Sequence, residues 1–86
     1  MTRENSIRKE ILFQAFAKRP LSVTASGIAK QCRKEQMDFS ELEIRRELPY
    51  LVGKKALARV TAMDASEPAY EITAEGIDYY EQNYAA

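Results

Sequence analysis

Eighty-six residues, 45% of them apolar and 30% charged, have room for one modest core and do not read as disordered. No apolar run approaches the roughly 20 residues of a bilayer-crossing helix. Met1-Thr2-Arg3-Glu4-Asn5 lacks the apolar stretch of a secretory signal, and the lone Cys32 excludes an internal disulfide framework, so the expectation is a single cytoplasmic domain over residues 1–86. The net charge of zero hides an asymmetry. Residues 1–60 hold all 13 Lys and Arg against 7 acids, a net of +6, whereas residues 61–86 hold 6 acids and no Lys or Arg, a net of −6. Such a division points to a polyanion-facing surface at one end of the molecule.

Ile7, Ile11, Leu12, Ala15 and Phe16 recur at helical spacing, with Asn5 or Ser6 as the expected cap and Pro20 ending the helix near Lys18. Leu21-Ser22-Val23 is long enough only for a bridge of strand. Thr24 is placed to cap a second helix, in which Ile28, Ala29 and Cys32 share one face while Lys30, Arg33 and Lys34 point the other way, fading by Gln36. Ser40-Glu41-Leu42-Glu43 fits a capping box, with Phe39 and Ile44 spaced for a hydrophobic staple, so a third helix starts at Ser40. Ile44, Leu48 and Leu51 form its buried stripe. Gly53 is expected to supply a left-handed stop, and Pro49, which lacks a donor and crowds the Arg45 carbonyl, predicts a kink or a break.

Residues 56–63 read as a strand anchored by Leu57 and Val60. Asp64-Ala65-Ser66-Glu67-Pro68 reads as a turn, and Ala69-Tyr70-Glu71-Ile72 alternates as a half-buried strand, which together predict a β-hairpin. Thr73 then caps a last helix with Ile77, Tyr80 and Tyr84 in line. The predicted order is helix, short strand, helix, helix, strand, strand, helix.

This order looks like a winged helix-turn-helix, and three segments make the likeness specific. Gly27-Ile28-Ala29-Lys30 resembles the second-helix signature of that superfamily. Ile44-Arg45-Arg46-Glu47-Leu48-Pro49-Tyr50-Leu51 resembles the ending of its recognition helix. Tyr70-Glu71-Ile72-Thr73-Ala74-Glu75-Gly76-Ile77 is similar to the run from the third strand into the last helix. The likeness spans about residues 5–84 and is greatest to small phage- or prophage-encoded winged-helix proteins. It implies an α+β, mainly helical winged helix-turn-helix: a three-helix core, a β-hairpin wing and a C-terminal helix.

Catalytic chemistry has little to build on. Histidine is absent, which removes imidazole as base, metal ligand or triad member. Cys32 sits on an apolar face and reads as core. The three glycines, Gly27, Gly53 and Gly76, are too scattered for a phosphate loop. The expectation is a binding protein that is not an enzyme and carries no cofactor or metal.

The resemblance gives base readout in the major groove to Leu42, Arg45 and Arg46, which lie off the buried stripe of the third helix, and phosphate contact to Lys30, Arg33, Lys34, Lys54 and Lys55. It implies double-stranded DNA as partner and transcriptional regulation as role. Two features oppose DNA: Glu41 and Glu43 stand at the mouth of the presumed recognition helix, and the wing carries Asp64 and Glu67 with no cation. They motivate an alternative, a protein–protein adaptor that docks through the acidic wing. Tyr79, Tyr80 and Tyr84 offer either a homodimer seam or a partner surface on the C-terminal helix.

Overall fold

A computed structural model describes residues 2–61 and 67–84. The first helix, α1, spans Arg3–Ala17 and is capped by Thr2, whose Oγ1 accepts from the Asn5 N–H at 3.1 Å. The cap lies earlier than the predicted Asn5 or Ser6 because the opening turn is polar and carries no apolar period. Asn5 instead accepts a hydrogen bond from the Tyr84 hydroxyl at 2.6 Å, joining the start of α1 to the end of the chain. Ile7, Ile11, Leu12 and Ala15 are buried, as their spacing requires.

The strand bridge β1 is Val23–Thr24, shifted one residue beyond Leu21-Ser22-Val23; Leu21 and Ser22 are exposed outside it. Thr24 also caps α2, Ala25–Lys34, by accepting from the Gly27 N–H at 3.1 Å. Ile28, Ala29 and Cys32 are buried on one face. The third helix, α3, spans Glu41–Gly53 behind the predicted capping box: Ser40 Oγ accepts from the Glu43 N–H at 3.2 Å, and Glu43 Oε1 accepts from the Ser40 N–H at 3.1 Å. Phe39 packs half-buried against the core and Ile44 is buried, in keeping with a staple. The helix runs unbroken through Pro49, which is exposed while Leu48 and Leu51 on either side are buried.

Both helix ends are closed by the same motif. Gln36, at φ 60°, follows α2, with Met37 N–H bonding to the Cys32 carbonyl at 2.8 Å and Gln36 N–H to the Arg33 carbonyl at 3.1 Å. Lys55, at φ 63°, follows α3, with Ala56 N–H bonding to the Leu51 carbonyl and Lys55 N–H to the Val52 carbonyl, each at 2.9 Å. These pairs satisfy carbonyls that the helix leaves open, in the Schellman pattern. The left-handed residue of α3 is therefore Lys55 and not the predicted Gly53, which lies within the last helical turn.

Strands β2, Leu57–Val60, and β3, Ala69–Ile72, form the predicted antiparallel hairpin, in register from Leu57 opposite Ile72 to Val60 opposite Ala69. β3 lies between β1 and β2, with Val23 opposite Tyr70. Leu57 is buried and Val60 half-buried. The predicted end of the strand, Ala62 and Met63, and the turn residues Asp64–Ser66 lie outside the described residues. The last helix, α4, spans Ala74–Asn83 and is capped by Thr73, which accepts from the Gly76 N–H at 2.9 Å and donates to the Lys55 carbonyl at 2.6 Å. The result is an α+β, mainly helical fold in which α1, α2 and α3 enclose the core and the sheet and α4 close its flank.

Gly76 is buried where α4 meets the chain leaving α3. A Cβ there would lie 2.0 Å from the Ala56 carbonyl oxygen, a backbone atom that cannot turn away. Gly76→Ala should therefore lower stability by about 1–3 kcal/mol, the usual cost of overpacking. Gln36→Gly should act in the opposite direction, raising it by about 0.5–1 kcal/mol because glycine adopts the left-handed conformation without strain. Urea unfolding measures both, and a Gly76→Ala protein as stable as the parent would show that the chain yields at this contact.

Candidate functional site

The stripe Ile44, Leu48 and Leu51 rotates α3 so that positions three and four apart on its opposite side face outward. Leu42, Arg45 and Arg46 occupy that side together. Leu42 is 58% exposed, and both arginines are exposed. The structure thus joins the three residues expected to read bases on one helix face. Lys30, Arg33 and Lys34 are exposed on α2, and Lys54 and Lys55 are exposed just past the far end of α3. No hydrogen bond or ion pair among the described residues links these lysines or Arg33 to the arginines of α3.

The two arginines differ. Arg45 donates through Nε and Nη2 to Glu41 Oε2, at 2.9 and 2.8 Å, one helical turn away, and its Nη2 also lies 3.8 Å from Glu67 Oε1. The hydrogen bond it donates to Glu41 is the main reason the guanidinium pKa is raised. Arg46 makes no ion pair among the described residues; it borders a shallow groove with Arg3, Glu4, Ile7, Glu43 and Glu47.

The acids around α3 are engaged by cations distant in sequence. Arg3 Nε donates to Glu43 Oε2 at 2.5 Å, and its Nη2 bonds to the Asp38 carbonyl. Arg8 Nε donates to Glu47 Oε1 at 2.6 Å, and the Arg8 guanidinium lies over the Tyr50 ring at 3.6 Å. Glu67, at the base of the wing, accepts from the Ser26 N–H at 3.2 Å and from Ser26 Oγ at 2.7 Å. Hydrogen bonds from Ser26 hold its carboxyl below the ordinary range. Glu43 and Glu67, which as a sequence oppose a polyanion, are thus turned onto the protein's own donors. Asp64 lies outside the described residues.

Sequence reasoning missed this arrangement because the partners are 39 to 41 residues apart. The available signal was the complementary spacing of Arg3 and Arg8 on one helix and Glu43 and Glu47 on another.

On α4 the tyrosines pack against the chain itself. Tyr80 stacks on Phe16 with centroids 5.3 Å apart and lies 6.3 Å from Phe13; Tyr79 and Tyr84 meet edge to face at 5.9 Å. Burial pushes the Tyr84 hydroxyl up to about 12. All three remain partly exposed, next to a 42% exposed Phe13. Among the described residues no group of three or more Cys, Asp or Glu is placed to hold a metal ion, and no helix is long and apolar enough to cross a membrane.

The fold is similar to that of a PadR-like transcription factor from Bacteroides fragilis solved by X-ray crystallography. The TM-score is 0.77, over 93% of this chain and 78% of that one, at 16% sequence identity. The fold is a winged helix. In its terms α2 and α3 are the helix-turn-helix pair and β2 and β3 the wing. No family model matches the sequence, and no curated protein is similar to it.

The Glu43 carboxyl is held at about 2, against an ordinary 4.5, first by the hydrogen bond from Arg3 and then by the Ser40 N–H. A carboxyl depressed in the folded state stabilises the fold above its unfolded value and loses that contribution as pH falls toward the folded one. Stability should therefore decline from about pH 4.5 down to about pH 2. Glu43→Gln, which keeps the capping acceptor but removes the charge, should make the decline shallower. Chemical denaturation across that range is the measurement, and an unchanged slope would mean that the Arg3 pair does not hold in solution.

Proposed function

We propose that this protein is a DNA-binding transcriptional regulator that enters the major groove with α3. The observation that carries the reading is the single outward face of Leu42, Arg45 and Arg46, on a helix whose start is held by a capping box and whose opposite side is buried. Arg46 is the principal base-reading residue, since it has no ion-pair partner among the described residues. Arginine recognises the guanine edge through two parallel hydrogen bonds. Arg45 reads bases only after leaving Glu41, and Leu42 supplies an apolar contact. Lys30, Arg33 and Lys34 from α2, with Lys54 and Lys55, neutralise phosphates and set the register.

Three further points support this reading. The solved neighbour that shares the fold is described as a transcription factor. Glu43, Glu47 and Glu67, which would repel DNA if free, are paired with Arg3, Arg8 and Ser26. The exposed edges of Phe13, Tyr79, Tyr80 and Tyr84 suit a seam between two copies, as a regulator of paired half-sites needs. The reading includes a cytoplasmic location. A narrower kinship with phage- or prophage-encoded proteins rests on the local motifs alone.

Arg46→Ala should weaken binding to a duplex carrying the preferred site by about 1–3 kcal/mol, roughly fivefold to 150-fold. Lys30→Ala should weaken all duplexes alike and flatten the dependence of log affinity on log salt by about 0.9. Fluorescence anisotropy at two salt concentrations measures both. A wild-type protein that shows no salt-sensitive binding to any duplex in a randomised library overturns the assignment and favours a protein partner.

A further inference from the structure

Among the described residues, Glu67 is the one acid that touches two of the elements assigned to DNA. It stands on the strand-proximal side of the wing, yet its carboxylate is drawn across to the first turn of α2, where it takes both the N–H and the hydroxyl of Ser26. The same carboxylate lies 3.8 Å from the Arg45 guanidinium of α3. A groove lined by Ala25, Arg45, Leu48, Pro68 and Tyr70 lies beside it. Ser26 and Arg45 are 19 positions apart in sequence and sit on different helices, so their convergence on one anion is a product of the fold.

Resting on the DNA reading, we propose that Glu67 occupies, as an internal anion, the position of one DNA phosphate, and so sets the affinity of this face for duplex. The chemistry of the donors carries this. A backbone N–H in the first helical turn, a hydroxyl and a guanidinium are the groups with which helix-turn-helix surfaces grip a phosphodiester. In the free protein both Ser26 donors are bonded to the Glu67 carboxylate, and the Arg45 guanidinium, bonded to Glu41, lies 3.8 Å from it. A phosphate reaches them only by displacing the Glu67 side chain, and Arg45, while Glu41 holds it, then steadies that phosphate and leaves base reading mainly to Arg46. Displacement also relieves Arg45 of one of its two acidic neighbours, leaving Glu41 alone to hold it. Glu67 therefore lowers affinity for every duplex and makes occupancy depend on a close fit elsewhere, through Arg46 and Leu42.

The experiment is anisotropy with a mixed-sequence duplex, two single variants and one double variant. Glu67→Gln, which still accepts from Ser26, should bind about tenfold more tightly than wild type. Its log affinity should fall more steeply with log salt, by about 0.9 for the one phosphate gained. Glu81→Gln on α4 removes an equal charge and should gain clearly less. Arg45→Ala in the Glu67→Gln background should return affinity toward that of the wild type. In isotope-labelled wild-type protein, saturation with duplex should move the Glu67 side-chain carboxyl and Ser26 amide resonances together. Equal gains from Glu67→Gln and Glu81→Gln, no gain from Glu67→Gln, or Glu67 and Ser26 signals unmoved in a saturated complex would each overturn the inference while leaving DNA binding intact. An absence of binding by wild type and Glu67→Gln alike would instead overturn the DNA reading on which it rests.

Discussion

The rotation of α3 about its own axis is the constraint on which the rest depends. Ile44, Leu48 and Leu51 are each no more than 2% exposed, and burying such side chains stabilises by about 1.5–3 kcal/mol apiece. The ion pairs at the surface of α3 contribute far less, because solvent screens their charges and ordering the side chains costs entropy. The apolar stripe therefore decides the rotation, and the charged residues adapt to it. With the stripe inward, Leu42, Arg45 and Arg46 have nowhere to lie except outward. Shifting the helix by one residue would expose Ile44 and bury Arg45, which the core could not accommodate.

The electrostatics follow from that geometry and reverse what a count of charges suggests. The acids of α3 lie close to the outward face, but α1 runs beside α3 and presents Arg3 and Arg8 to Glu43 and Glu47. These pairs align the two helices and leave the positive charge of Arg46 uncompensated among the described residues. Arg45 is tied to Glu41, one turn back, where such a pair contributes little but is always within reach. The face is held in a compensated state, with only part of its charge free for a polyanion.

One buried polar pair links α1 to α2. Gln14 is 3% exposed and donates through Nε2 to Glu10 Oε2 at 2.8 Å, within 3.4 Å of the Ile28 carbonyl and 3.6 Å of Cys32 Sγ. Burial raises the Glu10 carboxyl above its ordinary range and raises the Cys32 thiol as well. A raised carboxyl in the folded state favours the protonated form, which a low-dielectric site accommodates at lower cost than an ion. Cys32 is thus a small packing residue beside a polar pair, in keeping with its place on an apolar face.

Much of the fold was legible in the sequence because its signals are local. The capping box at Ser40, the threonine caps at Thr24 and Thr73, the stripe of α3 and the alternation of Ala69–Ile72 each depend on residues within a turn or a strand, where backbone geometry dictates the spacing. The misplaced details were also local but had competitors. Thr2 outran Asn5 and Ser6 because a polar first turn has no period to read, and Lys55 took the left-handed position because helix length, set by the packing of Leu51, keeps Gly53 inside the last turn of α3. At the site, the sequence by itself determined which residues face outward: Leu42, Arg45 and Arg46. That Arg45 is tied to Glu41 is a local pairing one turn apart, but which of the neighbouring acids are neutralised was decided by tertiary structure. Arg3, Arg8 and Ser26 reach Glu43, Glu47 and Glu67 across about 40 residues of chain, and no local rule relates residues that only the packing of three helices and a wing brings together.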